Sequence, residues 1–101
     1  MESHYELNNG SVIIGMPREL DHHQASQLRL ETDLLIETYH VRELVFDFAD
    51  TEFMDSSGIG VIIGRCKNMR CYGGEVVAKN LNERLQKIFI VSGLHKIMQK
   101  Q

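Results

Sequence analysis

Apolar residues along this chain recur with two periods, one suited to strands and one to helices, and their alternation predicts its architecture. Near the N-terminus, Tyr5-Glu6-Leu7 and Ser11-Val12-Ile13-Ile14 flank Asn9-Gly10, a pair that accepts the positive φ angles of a tight hairpin turn. Pro17 punctuates the end of the second strand. From Asp21, a preferred helix cap, apolar positions step by three and four through Ala25, Leu28, Thr32, Leu35, Ile36 and Tyr39. That spacing predicts a helix with one buried face, its other sides covered by Gln24, Gln27, Arg29, Glu31, Asp33 and Glu37. Residues 43–48 then read as a strand apolar enough to be central and parallel.

A second helix is expected from Ser57 to about Cys71, with Ile59, Val61, Ile62, Ile63, Cys66 and Met69 as its apolar positions. Arg65, Lys67 and Arg70 lie toward its C-terminus, where cations suit the helix dipole, and Gly73-Gly74 stops it. Glu75-Val76-Val77-Ala78 is the next strand, and Asn80 or Asn82 caps a short helix reaching Phe89, with Leu85, Ile88 and Phe89 inward. Ser92-Gly93 ends that helix, and residues 94–98 form a last short strand or an extended tail. The expected fold is α/β, with right-handed crossovers between parallel strands. It is a single domain over residues 1–101, a mixed sheet of four to five strands with an N-terminal hairpin and helices packed on it.

Composition narrows the function classes. A chain of 101 residues holds one core, burying about two thirds of its unfolded surface. With 43% hydrophobic and 25% charged residues it has the make-up of an ordinary soluble globule. The net charge is −3 and the eleven basic residues are scattered, so neither nucleic acid nor a membrane surface is an expected partner. Cys66 and Cys71 stand five apart on one helix and cannot pair within it. With no signal-peptide pattern and no apolar run near 18 residues, a cytoplasmic protein with free thiols is expected. His22, His23 and the cysteines lack ligand spacing, so no metal and no cofactor are expected.

The stretch with the most chemistry is Phe53-Met54-Asp55-Ser56-Ser57-Gly58-Ile59-Gly60-Val61. Asp55, Ser56 and Ser57 stand where a helix begins, and Gly58 permits a tight approach of the backbone. A hydroxyl at the positive end of a helix dipole is where an added phosphate is best tolerated. Local chemistry alone reads as a well-capped helix. Gly58, Gly60 and Gly64 are spaced one residue too long for a dinucleotide fingerprint, and close helix–sheet packing is their expected use. A receiver-type phosphorelay reading has Asp47 and Asp50 but fails on order, because the chain opens with a hairpin. Ser56, His22 or His23, and Asp21 are the residue types of a nucleophilic triad, yet nothing supplies an oxyanion hole, and no enzyme is expected.

Glu19-Leu20-Asp21-His22-His23, followed by Phe53 through Arg65 with its Asp55-Ser56-Ser57-Gly58-Ile59-Gly60 core, resembles the STAS family of anti-sigma factor antagonists, and most of all its sporulation branch. Gly73-Gly74-Glu75 and Val91-Ser92-Gly93-Leu94-His95-Lys96-Ile97 match later segments of the same branch. The resemblance implies a phosphorylation switch. In that family the Ser after the motif Asp is phosphorylated from ATP by a partner anti-sigma kinase, which maps onto Ser56 after Asp55. The unphosphorylated form binds a SpoIIAB-like serine kinase holding ATP or ADP and frees the sigma factor. The phosphorylated form lets go, and a SpoIIE-like phosphatase reverses the step. Asp21 maps onto the same partner surface, with Ser57, Gly58 and Ile59 as further contacts, and the free protein is expected to be a monomer. Sequence chemistry does not choose between Ser56 and Ser57; the motif does.

Two departures accompany the resemblance: Arg18 stands where the family commonly has Gly, and the chain ends at Gln101 where relatives commonly continue into a helix. Two alternatives stand beside the leading reading. One is a general stress-response antagonist of the same fold, from which only Leu20-Asp21-His22-His23 separates it. The other is a small nucleotide-binding domain using the Ser57 helix start. The strand-to-helix turns of a parallel sheet share one edge, so Asp21 and Ser56 are expected side by side. Dipole and free amides should welcome a phosphate on Ser56, which would face a partner's carboxylates or apolar groups, with Asp55 and Asp21 adding like-charge repulsion within the chain.

Overall fold

The hairpin forms as its turn residues require: Asn9 and Gly10 take φ of 52° and 85° and join β1 (His4–Asn8) antiparallel to β2 (Ser11–Gly15). The computed structural model describes residues 4–100. After β2 come β3 (Glu19–Leu20), α1 (His22–Tyr39), β4 (Glu43–Asp47), β5 (Phe53–Met54), α2 (Ser56–Cys71), β6 (Glu75–Lys79) and α3 (Glu83–Ser92). A 3₁₀ turn (Leu94–Lys96) leads to β7 (Gln99–Lys100). The main sheet has the order β1-β2-β4-β6-β7, with β4 central and β2, β4, β6 and β7 parallel. That is the expected mixed α/β architecture.

Alternation along the strands sends Val12 and Ile14, Leu44 and Phe46, and Val76 and Ala78 to one face. There they share a core with Leu28 and Leu35 of α1, Val61, Ile62 and Met69 of α2, and Leu85 and Phe89 of α3. Each fully buried large side chain contributes roughly 1.5–3 kcal/mol. Phe48 packs edge-on against both Phe46 and Phe89, with centroids 6.4 and 5.6 Å apart. Cys66 belongs to the same core, where burial pushes its thiol up to about 11, while Cys71 is exposed; both are free.

Several expectations are corrected. Tyr39 is the last residue of α1, next to the His40 cap, and is exposed. The helix capped by Asn82 continues beyond Phe89 to Ser92, carrying Ile90 and Val91 in exposed positions. Residues 94–98 are no strand: Gly93, at φ 83°, turns the chain into the 3₁₀ segment and the pairing begins only at Gln99. Arg65 does not serve the helix dipole from the surface. It is buried, ion-paired with Asp33 of α1, and it also donates to the Arg29 carbonyl at 3.2 Å. A charge in such a place needs its partners, and these clamp α1 to α2 at mid-height.

Because β2, β4 and β6 are parallel, their C-terminal ends share one edge of the sheet, and all three helices start there. That edge positions the candidate site.

Candidate functional site

Beyond the sheet edge, β3 and β5 pair in parallel with Glu19 opposite Phe53 and Leu20 opposite Met54. The pairing is reinforced on either side. The Arg18 carbonyl accepts the amides of Glu52 (2.8 Å) and Phe53 (3.2 Å), and the Leu20 carbonyl accepts that of Asp55 (3.3 Å). Thr51, whose residue is buried, donates its hydroxyl to the Pro17 carbonyl at 2.8 Å. Arg18, the departure from the family pattern, pairs with Glu52 at 2.8 Å on the surface, and the bond and charge of Glu52 raise its pKa. The loop carrying Asp21 is therefore tied to the one carrying Asp55, and the two helix starts stand side by side as parallel topology requires.

Each start is capped by its own carboxylate. Asp21 accepts from the Gln24 amide at 2.9 Å. Asp55 does more, since one oxygen accepts from both Ser57 (2.9 Å) and Gly58 (3.1 Å), while the carbonyls of both caps take the next helical amide, Ala25 (2.8 Å) and Ile59 (3.1 Å). Two of the four amides that the start of α2 leaves without a helical partner are thus held by one side chain. Two of the amides expected to await a phosphate here are therefore engaged by Asp55, and Ser56 itself is exposed.

Gly58 is the reason α2 can start so close to β3. A Cβ there would lie 2.7 Å from the Leu20 carbonyl oxygen and 2.8 Å from the Met54 side chain. Gly58 is buried, and its contribution is to placement. Gly60 and Gly64 behave differently: a Cβ on either would meet nothing within 4 Å, so close helix–sheet packing explains Gly58 alone. They border an open groove of about 410 Å³ between α1 and α2, together with His22, Ser26, Arg29 and Ser57.

The two adjacent serines have unlike surroundings. Ser56, first residue of α2, is exposed. Ser57 is half-buried, with its hydroxyl oxygen 3.3 Å from Nδ1 of His22 on the neighbouring start. Ile59 is half-buried against the core. His22 does not reach Ser56 as a base would, and the nucleophilic triad is not assembled. His23 instead meets Gln27 of its own helix at 3.2 Å. Asp47 is engaged locally, accepting from Ala49 and Asn80, which leaves no acidic receiver pocket at the end of β4. The contact between His22 and Ser57 is what sequence reasoning missed. Its signal was there in the parallel between Glu19-Leu20-Asp21-His22-His23 and Phe53-Met54-Asp55-Ser56-Ser57. Among the described residues no helix is long and apolar enough to cross a membrane.

Comparison with known proteins finds relatives along nearly the whole chain. The model of the STAS domain family matches residues 4–100. The anti-sigma F factor antagonist of Paenibacillus polymyxa is 37% identical over 93 residues, covering 92% of this chain and 80% of that protein. The anti-sigma-B factor antagonist of Bacillus subtilis (strain 168) is 32% identical over 91 residues, covering 90% and 82%. Among solved structures, the Bacillus cell fate determinant SpoIIAA in its phosphorylated form superposes with a TM-score of 0.79 at 30% identity, covering 99% of this chain and 91% of that one.

Proposed function

The chain belongs to the STAS domain family, and on that premise we propose that it is an anti-sigma factor antagonist switched by phosphorylation of Ser56. Residues 1–101 act as one regulatory domain, a regulator and not an enzyme, monomeric when free and working in the cytoplasm. The surface formed by Asp21, Asp55, Ser56, Ser57 and Ile59, shaped from beneath by Gly58, meets a SpoIIAB-like anti-sigma serine kinase. Binding of the unphosphorylated form releases the sigma factor. The kinase transfers phosphate from ATP to Ser56 and the complex parts, and a SpoIIE-like phosphatase restores the binding form.

The observation that carries this reading is the placing of an exposed Ser56 on a helix start held rigidly against a second acidic start. A phosphoryl group there adds roughly −1.5 to −2 charge at a point that already carries the Asp21 and Asp55 carboxylates. The fold is spared because the group faces outward, and the interface bears the repulsion. Two first-turn amides of α2 are engaged by Asp55, which weighs against the nucleotide-binding alternative, since that helix start has less to offer an anion.

A sporulation role is favoured by the 37% identity to an anti-sigma F factor antagonist and by Leu20-Asp21-His22-His23. The general stress-response reading has the 32% relative behind it. Incubation with labelled ATP and, separately, an anti-sigma F and an anti-sigma B kinase tests both. Label entering the wild-type chain from the F kinase, and absent from Ser56→Ala, is the expected result. Label from the B kinase alone would transfer the protein to the stress branch, and label from neither would overturn the switch.

A further inference from the structure

Ser56 and Ser57 are chemically the same, one residue apart on one helix start, and a kinase must take one of them. Their difference lies in a residue from the other helix. His22 is the first residue of α1, and its Nδ1 lies 3.3 Å from the Ser57 hydroxyl, across the head of the groove bordered by Ser26, Arg29 and Gly60. Either partner can donate in that contact, depending on the imidazole tautomer. The Ser57 amide is simultaneously committed to Asp55 at 2.9 Å. Ser57 is thus held at both backbone and side chain and turned toward α1, whereas Ser56 is exposed at the tip.

We infer that His22 is a positioning residue that directs phosphorylation to Ser56 by holding the Ser57 hydroxyl in the groove, away from an incoming phosphoryl donor. This rests on the switch proposed above and adds the source of its site selectivity. In-line transfer needs the acceptor oxygen extended toward the γ-phosphate, and distances a fraction of an ångström too long cost heavily in rate. For Ser57 to react, its contact with His22 must first break. The histidine therefore acts through Ser57 and touches neither ATP nor the reacting oxygen of Ser56. It also gives the second helix start a use beyond partner contact, because α1 carries the restraint and α2 carries the acceptor.

The test maps phosphate by mass spectrometry after incubation with an anti-sigma F kinase and ATP, in wild type, His22→Ala, His22→Asn and the same changes combined with Ser56→Ala. Asparagine can place an amide near the position of Nδ1, so it separates loss of the contact from a general disturbance of α1. His22→Ala should raise the ratio of Ser57 to Ser56 phosphate about fivefold, the factor carried by one ordinary hydrogen bond, and His22→Asn should bring it back toward wild type. Label should likewise appear on Ser57 in His22→Ala/Ser56→Ala. An unchanged ratio would overturn the inference while leaving the Ser56 switch intact. A fall in Ser57 phosphate would overturn it too, since His22 would then be assisting that hydroxyl. Absence of phosphate from wild type would overturn the switch and this inference together.

Discussion

At Asp21 the chain leaves a two-residue strand, caps α1 with φ −92° and ψ −174°, and runs on into His22-His23. At Asp55 it leaves the partner strand, caps α2 with φ −97° and ψ −174°, and runs on into Ser56-Ser57-Gly58. The backbone solutions are the same and the two starts lie in register, so what separates them is the side chains behind the cap. The Asp21 side chain holds one amide and the Asp55 side chain two, while each cap's carbonyl takes the next helical amide, from Ala25 and Ile59 respectively. Gly58 allows the α2 start to press onto Leu20, whereas the first turn of α1, His22 to Ala25, contains no glycine. One start is therefore the fixed presenter of a hydroxyl, and the other a neighbour supplying charge and an imidazole. On the proposed switch, rigidity belongs where the phosphorylated atom would sit, because a phosphate on a yielding loop could swing aside without disturbing a partner.

That comparison can be broken in steps. The largest effect is expected from Gly58→Ala, which drives a methyl into a backbone carbonyl. It should lower stability by about 1–3 kcal/mol in urea denaturation, and a neutral result would mean that the starts are not tightly packed. Asp55→Ala should follow at about 1–2 kcal/mol, ahead of Asp21→Ala at about 1 kcal/mol, since they lose two caps and one. Equal losses would remove the asymmetry between the starts. Asp21→Ala should in addition weaken kinase binding measured by calorimetry, and normal binding would take Asp21 off the partner surface. The smallest effects carry the opposite sign. Gly60→Ala and Gly64→Ala lie in helix with open space before the new methyl, so each should raise stability by about 0.5–1 kcal/mol. Destabilisation by either would place an unseen packing demand on α2.

Much of this was legible because it is written locally. Asn9-Gly10 sets the hairpin turn, Asp21, Asp55 and Asn82 set the three helix starts, and the steps of three and four through Ala25 and Ile36 set the buried face of α1. What escaped depends on partners distant in sequence. Two-residue strands such as Glu19–Leu20 and Phe53–Met54 are too short to show a period, and only their mutual pairing makes them strands. Arg65 looks like any solvated basic residue until Asp33, 32 positions earlier, is brought beside it. The restraint on Ser57 likewise comes from His22, 35 positions away. For the site, the serine pair and both aspartates were visible as motif residues, whereas the engagement of the Ser57 and Gly58 amides by Asp55 was not.

On the proposed switch, charge at Ser56, and not its shape, decides whether the partner binds. Calorimetric titration of an ADP-loaded anti-sigma F kinase with wild type, Ser56→Ala and Ser56→Asp tests it most directly. Ser56 is exposed and its side chain is not part of the core, so both variants should keep the wild-type melting transition. Ser56→Ala should bind as wild type does, and Ser56→Asp should bind about a hundredfold more weakly, a coupling of about 2.7 kcal/mol. Undiminished binding by Ser56→Asp, or a loss of binding by Ser56→Ala of the same size, would contradict it.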